Sequence, residues 1–186
     1  MKDKNPFLIV GAALAAIVLV AAVLTLVLRN DSAAEDGEHN EVDVHFIGMM
    51  VPHHEQAIEM SDVLLDSDLD DPQVRDLAQR IKDGQEREND QMRALADEWG
   101  IEEDMELHST HIANGMFQPE QLEQFSTLTG EELRTAFLEM MHFHHEHVIK
   151  MTQDEVEHGG YAPLREMAQE MIEVQTAEMA EMEELL

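Results

Sequence analysis

Residues 46–55 read FIGMMVPHHE, and residues 137–146 read FLEMMHFHHE. At this offset of 91 residues, Phe46, Met49, Met50, His53, His54, Glu55, Ile58 and Met60 match Phe137, Met140, Met141, His144, His145, Glu146, Ile149 and Met151. Further along, at an offset of 90 residues, Arg75, Gln85, Glu88 and Met92 match Arg165, Gln175, Glu178 and Met182. Two long segments that match in the same order indicate an internal repeat, so we expect a fold of two related halves.

Each copy of the repeat reads as two amphipathic helices. Apolar residues recur three and four positions apart, and no stretch alternates like a β-strand. The expected helix limits are an N-cap at Asp71 before Pro72, a capping box at Thr129 and Glu132, a stop at Gly159 and Gly160, and a start at Pro163. The predicted helices span residues 42–65, 72–99, 130–158 and 163–186. Repeat one (42–99) and repeat two (129–186) therefore predict an all-α four-helix bundle, joined by a crossover at 100–128 with a short helix at 119–125.

The first 29 residues predict an N-terminal transmembrane helix. Residues 7–28 carry no charge, and about 20 apolar residues suffice to cross a bilayer. Lys2 and Lys4 precede this segment and favour a cytoplasmic N terminus, while residues 30–41 read as a flexible acidic tether. We expect a single-pass protein of the cell membrane whose domain at 42–186 faces out of the cell. The alternative is a cleaved signal peptide, which would leave that domain secreted.

Charge and cysteine content narrow the range of partners. The formal net charge is −30, which repels nucleic acid and attracts cations. The chain has no cysteine, so disulfides and thiolate metal sites are excluded. All eleven histidines lie after residue 38, and all fourteen methionines except Met1 lie after residue 45. The cation that this composition suits is one bound by imidazole and thioether groups.

The repeated motif stacks histidine and methionine at helical spacing. Residues at i, i+4, i+7 and i+11 share one face of a helix. The two expected stripes are Met49, His53, Gln56 and Met60, with His45 one turn earlier, and Met140, His144, His147 and Met151. Thioethers select Cu(I), and imidazoles suit copper, zinc, iron and nickel. The stripes predict a site for a soft transition metal, with copper, iron and zinc as candidate ions; a plain methionine core is the competing interpretation.

Two further features bear on this prediction. Pro52 lies inside the first helix, directly before the histidine pair, and predicts a kink that would aim both imidazoles. The crossover adds a looser cluster of Met105, His108, His111 and Met116, which is either a second metal contact or an ordinary polar loop.

The segments at 49–60, 71–92 and 137–145 resemble the DUF305 family. The resemblance covers about residues 42–186 and implies a ferritin-like, exported domain. Some members of the family bind copper through methionine and histidine, so the resemblance also implies that copper is the ion. By resemblance, the metal ligands are Met49, Met50, His53, His54 and Met60 in repeat one and Met140, Met141, His144, His145 and Met151 in repeat two. His147 departs from the family pattern, which has a small residue there, and it is an additional candidate ligand.

Two other functions remain open from the sequence. A ferritin-like di-iron oxidase would need two Glu-x-x-His motifs facing the bundle interior. Glu139 and His142 have that spacing, but Gly48 and Val51 occupy the matching positions in repeat one. A metal-free scaffold or pH sensor would use histidines that titrate near neutral pH. We expect a binding protein with no catalytic residue; a homodimer or a metal-delivery partner stays open.

Overall fold

The computed structural model describes residues 37–101 and 115–186. Within these ranges the chain forms the helices α1 (Glu41–Asp66), α2 (Pro72–Trp99), α3 (Pro119–Ser126), α4 (Gly130–His158) and α5 (Ala162–Leu185), and no strand. The all-helical prediction is confirmed for this part of the chain, and each helix limit lies within one residue of its expected position.

The predicted transmembrane helix, most of the tether and the cluster at 105–111 lie outside the described residues. Among the residues that are described, no helix is both long enough and apolar enough to cross a bilayer. The last residues of the predicted tether do belong to the folded unit. His39 stacks on Trp99 with ring centroids 4.3 Å apart, and the side chain of Asn40 caps α1 by accepting from the backbone N–H groups of Val42 and Asp43. The prediction of a flexible segment reaching residue 41 is therefore wrong at its end.

The helix ends follow local chemistry with one exception. Asp71 accepts hydrogen bonds from the N–H groups of Gln73 and Val74 and caps α2 as expected. Thr129 precedes α4, but its side chain makes no capping hydrogen bond. Gly130 has a φ of 57°, so the backbone directly after Thr129 lacks the right-handed geometry that a capping box requires. The predicted box at Thr129 and Glu132 is wrong.

The two hairpins α1–α2 and α4–α5 are built alike, and α1 packs against α4. The guanidinium of Arg75 donates to the carbonyl groups of Leu64, Leu65 and Ser67 at the end of α1. The repeat-equivalent Arg165 donates to the carbonyl groups of Gly159 and Gly160 at the end of α4. The arginines satisfy carbonyl groups that a helix end leaves open, so the sequence repeat is also a structural repeat.

The interior of the four long helices contains two apolar clusters. The first apolar cluster includes Met60, Leu64, Leu77, Ile81, Phe125, Phe137, Leu138, Met141 and Met182. The second apolar cluster includes Phe46, Ile47, Met50, Met92, Val148, Leu164 and Met171. Along every long helix, polar residues separate the members of one cluster from those of the other. We call this set the polar layer: His53, His54, Gln85, Glu88, Asn89, His144, His145, Gln175 and Glu178.

Candidate metal centre

Two repeat-equivalent histidines meet at the centre of the polar layer. The rings of His53 on α1 and His144 on α4 stack with their centroids 3.6 Å apart and an interplanar angle of 25°. Both residues are buried, with 1% and 0% of their surface exposed. Burial, followed by the neighbouring histidines, lowers the pKa of His144 well below its ordinary value. The ring is therefore neutral near neutral pH, and the neutral imidazole is the form that binds metals.

The second histidine of each pair bonds a carboxylate within its own hairpin. His54 Nε2 lies 2.7 Å from a carboxylate oxygen of Glu88 on α2, and His145 Nε2 lies 3.0 Å from one of Glu178 on α5. Because a carboxylate only accepts hydrogen bonds, a neutral ring in this position donates through Nε2 and keeps its lone pair on Nδ1. Within residues 37–101 and 115–186, neither Nδ1 atom has a hydrogen-bond partner. Carboxylate-bonded imidazoles of this kind are common among metal ligands.

Several polar atoms of the layer are buried without hydrogen bonds. Among the described residues, both ring nitrogens of His144, both amide atoms of Gln85 and Oε1 of Gln175 find no partner. An unsatisfied buried polar group costs about 1–3 kcal/mol, and such groups in a folded protein call for an explanation such as an ion or a functional role. The layer thus offers lone pairs in the interior that the protein itself leaves unused.

The predicted methionine ligands fall into two environments. Met50, Met60 and Met141 are fully buried within the apolar clusters. Met49 is 4% exposed and belongs to neither cluster, and Met140 is half-buried beside the first apolar cluster. Met49 and Met140 each precede a central histidine by four residues, so they sit one helical turn from the stacked rings. They are the methionines that the helix geometry favours as ligands.

The fold gives the two predicted stripes different surroundings. In α4, His144 is buried while His147 is exposed and Met151 is half-buried beside the second apolar cluster. In α1, the side-chain amide of Gln56 is already used. Its Nε2 donates to the carbonyl of Phe117 at 3.0 Å, and the N–H of Phe117 donates to its Oε1 at 2.6 Å. The α4 stripe is therefore divided between the interior and the solvent, whereas the four members of the α1 stripe are all buried.

Nitrogen and carboxylate donors alone do not complete a site. Within the described ranges, no three histidine or acidic side chains converge on a common point. Pro52 does not interrupt α1, which continues as a single helix from Glu41 to Asp66. The carbonyl of Val51, the residue before Pro52, accepts a hydrogen bond from the side chain of Asn89 at 3.3 Å.

The di-iron arrangement is not present among the described residues. Glu139 is exposed, and His142 lies at the surface, where its Nε2 is 3.1 Å from a carboxylate oxygen of Glu183. The interior carboxylates of Glu88 and Glu178 each bond a histidine. The Glu-x-x-His pair of α4 therefore points away from the interior, where a di-iron site would need it.

Two features of the candidate site do not follow from the residue types alone. The bonds of His54 and His145 to carboxylates place Glu88 and Glu178 in the site, and their matching positions in the repeat carry that signal. In the sequence His45 lies one helical turn before the first stripe, but in the structure it lies with His147 and Met151 in a groove outside the polar layer. That grouping depends on how α1 and α4 pack, and residue spacing within one helix does not reveal it.

Comparison with known proteins identifies the domain. A family model named DUF305, a domain of unknown function, matches residues 43–186. A solved DUF305 protein of Streptomyces coelicolor, whose name describes it as secreted, is 28% identical with a TM-score of 0.71, over 78% of this chain and 91% of that chain. A DUF305 fragment from Deinococcus radiodurans is 25% identical with a TM-score of 0.69, over 79% of this chain and 96% of that one.

A copper-bound structure is also similar. CopM in its Cu(I)-bound form is 25% identical to this chain with a TM-score of 0.63, over 77% of this chain and 94% of that chain. No curated protein sequence matches the chain significantly.

Proposed function

Because the chain belongs to the DUF305 family, we propose that it is an extracytoplasmic copper-binding protein that holds or passes the ion in copper homeostasis or resistance. The observation that carries the proposal is His144, whose two ring nitrogens are buried without a hydrogen-bond partner among the described residues and whose ring stacks on His53. Both rings lie in the bundle interior, where an ion would use the lone pairs of His144 that are otherwise costly to bury.

The choice of copper rests on the donor set and on a relative. His53 and His144 supply imidazole, and Met49 and Met140, one turn away, would supply thioether sulfur, the ligand that selects Cu(I). CopM, a protein of similar fold, is known in a Cu(I)-bound form. His54 and His145, held by Glu88 and Glu178, would complete or adjust the site through Nδ1.

The proposed location follows from the N-terminal segment and from a relative. Residues 7–28 are apolar and long enough to act as a membrane anchor, and the related protein of Streptomyces coelicolor is named as secreted. A chain without cysteine suits an oxidising compartment, because thioether and imidazole ligands do not form disulfides there. The bundle would then bind copper outside the membrane, as a binding protein rather than an enzyme.

The proposal is tested by titrating the full-length chain, in a mild detergent, with Cu(I), Cu(II), Zn(II) and Fe(II) against competing chelators. The paired variant His53→Ala and His144→Ala should weaken Cu(I) binding at the interior site by at least about tenfold, because both imidazole donors are lost. The matched control is His142→Ala, which removes a surface histidine and should bind as the unmodified chain does.

Other outcomes would reject the proposal. Equal Cu(I) affinity in the paired variant and in the control would show that His53 and His144 do not bind the ion. A preference for Fe(II) with oxygen consumption would favour the oxidase. Absence of metal binding by the unmodified chain would leave the scaffold or pH-sensor function.

A further inference from the structure

A second group of soft donors lies on the outer face of the bundle. Helices α1 and α4 border an open groove of about 540 Å³, and its lining includes His45 from α1 and His147 and Met151 from α4. His45 and His147 are exposed, whereas the central histidines His53 and His144 are buried. The groove is thus separate from the polar layer, although His147 and His144 are only three residues apart.

His147 is held in the form that a metal ligand needs. Its Nδ1 lies 2.8 Å from the carbonyl oxygen of Phe143, and because a carbonyl oxygen only accepts, Nδ1 carries the proton. The neutral ring therefore keeps its lone pair on Nε2. A bond from the second ring nitrogen to a backbone carbonyl is a usual feature of histidines that bind metals.

The ring of His147 is also fixed in place by its neighbours. It packs against the ring of Phe143 with centroids 3.9 Å apart. Gly115, at the end of the crossover, has a φ of 89° and lies so close that a Cβ there would come within 2.6 Å of the His147 Cβ. The close approach needs glycine, and it packs the crossover backbone against the Cβ of His147.

The electrostatics of the groove favour a cation. Asp154 and Glu157 line it together with a single basic residue, Lys150, in a chain whose formal net charge is −30. Met151, which also lines the groove, is half-buried and packs against the second apolar cluster. Negative potential concentrates cations at such a surface.

We propose that His45, His147 and Met151 form a second, surface metal site that takes Cu(I), distinct from the interior histidines. Two imidazoles and one thioether are a donor set that copper accepts and that harder cations do not prefer. Met151 lines the groove together with the two histidines, so its sulfur would be the third donor of this site. The exposure of this surface site would allow an ion to arrive from solution or to be passed to a partner.

The test uses the full-length chain and anaerobic Cu(I) competition against a chromogenic chelator, in two backgrounds. In the unmodified chain and in the paired variant His53→Ala and His144→Ala, the surface site should bind one Cu(I) ion. Adding His147→Ala or Met151→Leu to either background should weaken that ion's binding by at least about tenfold. Matched controls are His142→Ala, an outward-facing histidine of α4, and Met179→Leu, a half-buried methionine of α5.

The outcomes separate this site from the interior one. If the paired interior variant binds Cu(I) as the unmodified chain does and only the groove variants lose it, the surface site stands and the interior site fails. If His147→Ala and Met151→Leu behave like their controls in both backgrounds, the surface site is overturned. It is also overturned if the interior variant alone abolishes all Cu(I) binding.

Discussion

Histidines of this chain differ in what their ring nitrogens contact, and that difference decides what each can do. His145 donates to Glu178 in the interior, His147 donates to a backbone carbonyl at the surface, and neither nitrogen of His144 has a partner among the described residues. These three residues lie within one turn of α4. Burial and hydrogen bonding, rather than residue type, therefore give these three histidines different chemical properties.

The role of methionine sulfur in Cu(I) binding can be tested separately from its role in packing. Replacing Met49 and Met140 together by Leu should weaken interior Cu(I) binding by at least about tenfold and leave Zn(II) binding unchanged, because zinc does not depend on thioether ligands. A Met-to-Leu change nearly conserves volume and usually costs less than about 1.5 kcal/mol. Chelator competition measures the two affinities, and urea unfolding measures stability. Met179→Leu is the control; unchanged Cu(I) affinity would mean that both methionines only fill space.

Helix α4 shows why residues that the sequence places on one stripe can differ in exposure. Residues three apart on a helix differ by about 60° round its axis, and for His144 and His147 this step crosses the boundary between interior and solvent. The sequence predicts the helix and its limits because caps, glycine and proline act locally. It does not predict which residues face the neighbouring helices, because that depends on the rotation of each helix in the bundle.

A buried acid pair joins the start of α1 to the turn between α4 and α5. Asp43 is fully buried and accepts hydrogen bonds from the N–H groups of Asn40, Gly160 and Tyr161. Although burial opposes ionisation, these three donors lower the pKa of Asp43 below its ordinary value. The carboxyl of Glu155 on α4 faces Asp43 and is also fully buried. Two ionised carboxylates in this position would repel each other strongly.

Glu155 is therefore expected to make stability depend on pH. Burial and the charge of Asp43 raise the pKa of Glu155 from its ordinary value of 4.5 to about 8, with Asp154 adding to the rise and Arg165 opposing it. The folded state binds the proton more tightly than the unfolded chain. The stabilisation is complete below the ordinary value and is lost as the pH rises through about 8.

Glu155→Gln tests this contact between helices. The variant keeps a neutral side chain at every pH, so its free energy of unfolding should fall less between about pH 5 and pH 9 than that of the unmodified chain. Urea unfolding at several pH values measures the difference, and Glu146→Gln, an exposed change on the same helix, is the control. Parallel pH profiles for the variant and the unmodified chain would show that Glu155 is ionised in the folded protein.

The helical bundle buries polar side chains between its two apolar clusters, where several of their atoms form no hydrogen bond among the described residues. The two apolar clusters lie on either side of the polar layer, and the repeat brings His53 and His144 together there. The sequence predicts the repeat and the histidine pairs from residue matching. The stacking of the pair and the carboxylate bonds of its neighbours follow only from the assembled bundle. An interior of this kind is less stable without a ligand than an apolar one would be, and a bound ion would offset the difference.

That balance predicts opposite effects for two adjacent histidines. Without metal, His144→Leu should leave the free energy of unfolding unchanged or raise it by about 1–3 kcal/mol, because it removes unpaired buried nitrogens. His145→Leu should lower it by about 1–3 kcal/mol, because it strands the carboxylate of Glu178, whose side chain is 8% exposed.

Copper completes the comparison, since an ion that binds only the folded state stabilises it. Cu(I) present at about a hundred times its dissociation constant should add about 2.7 kcal/mol to the unmodified chain, and His144→Leu should lose most of that gain. Urea unfolding under anaerobic conditions, with and without Cu(I), measures both effects. If His144→Leu were as destabilising as His145→Leu without metal, His144 would be a structural residue. Its ring nitrogens would then not be kept available for a metal ion.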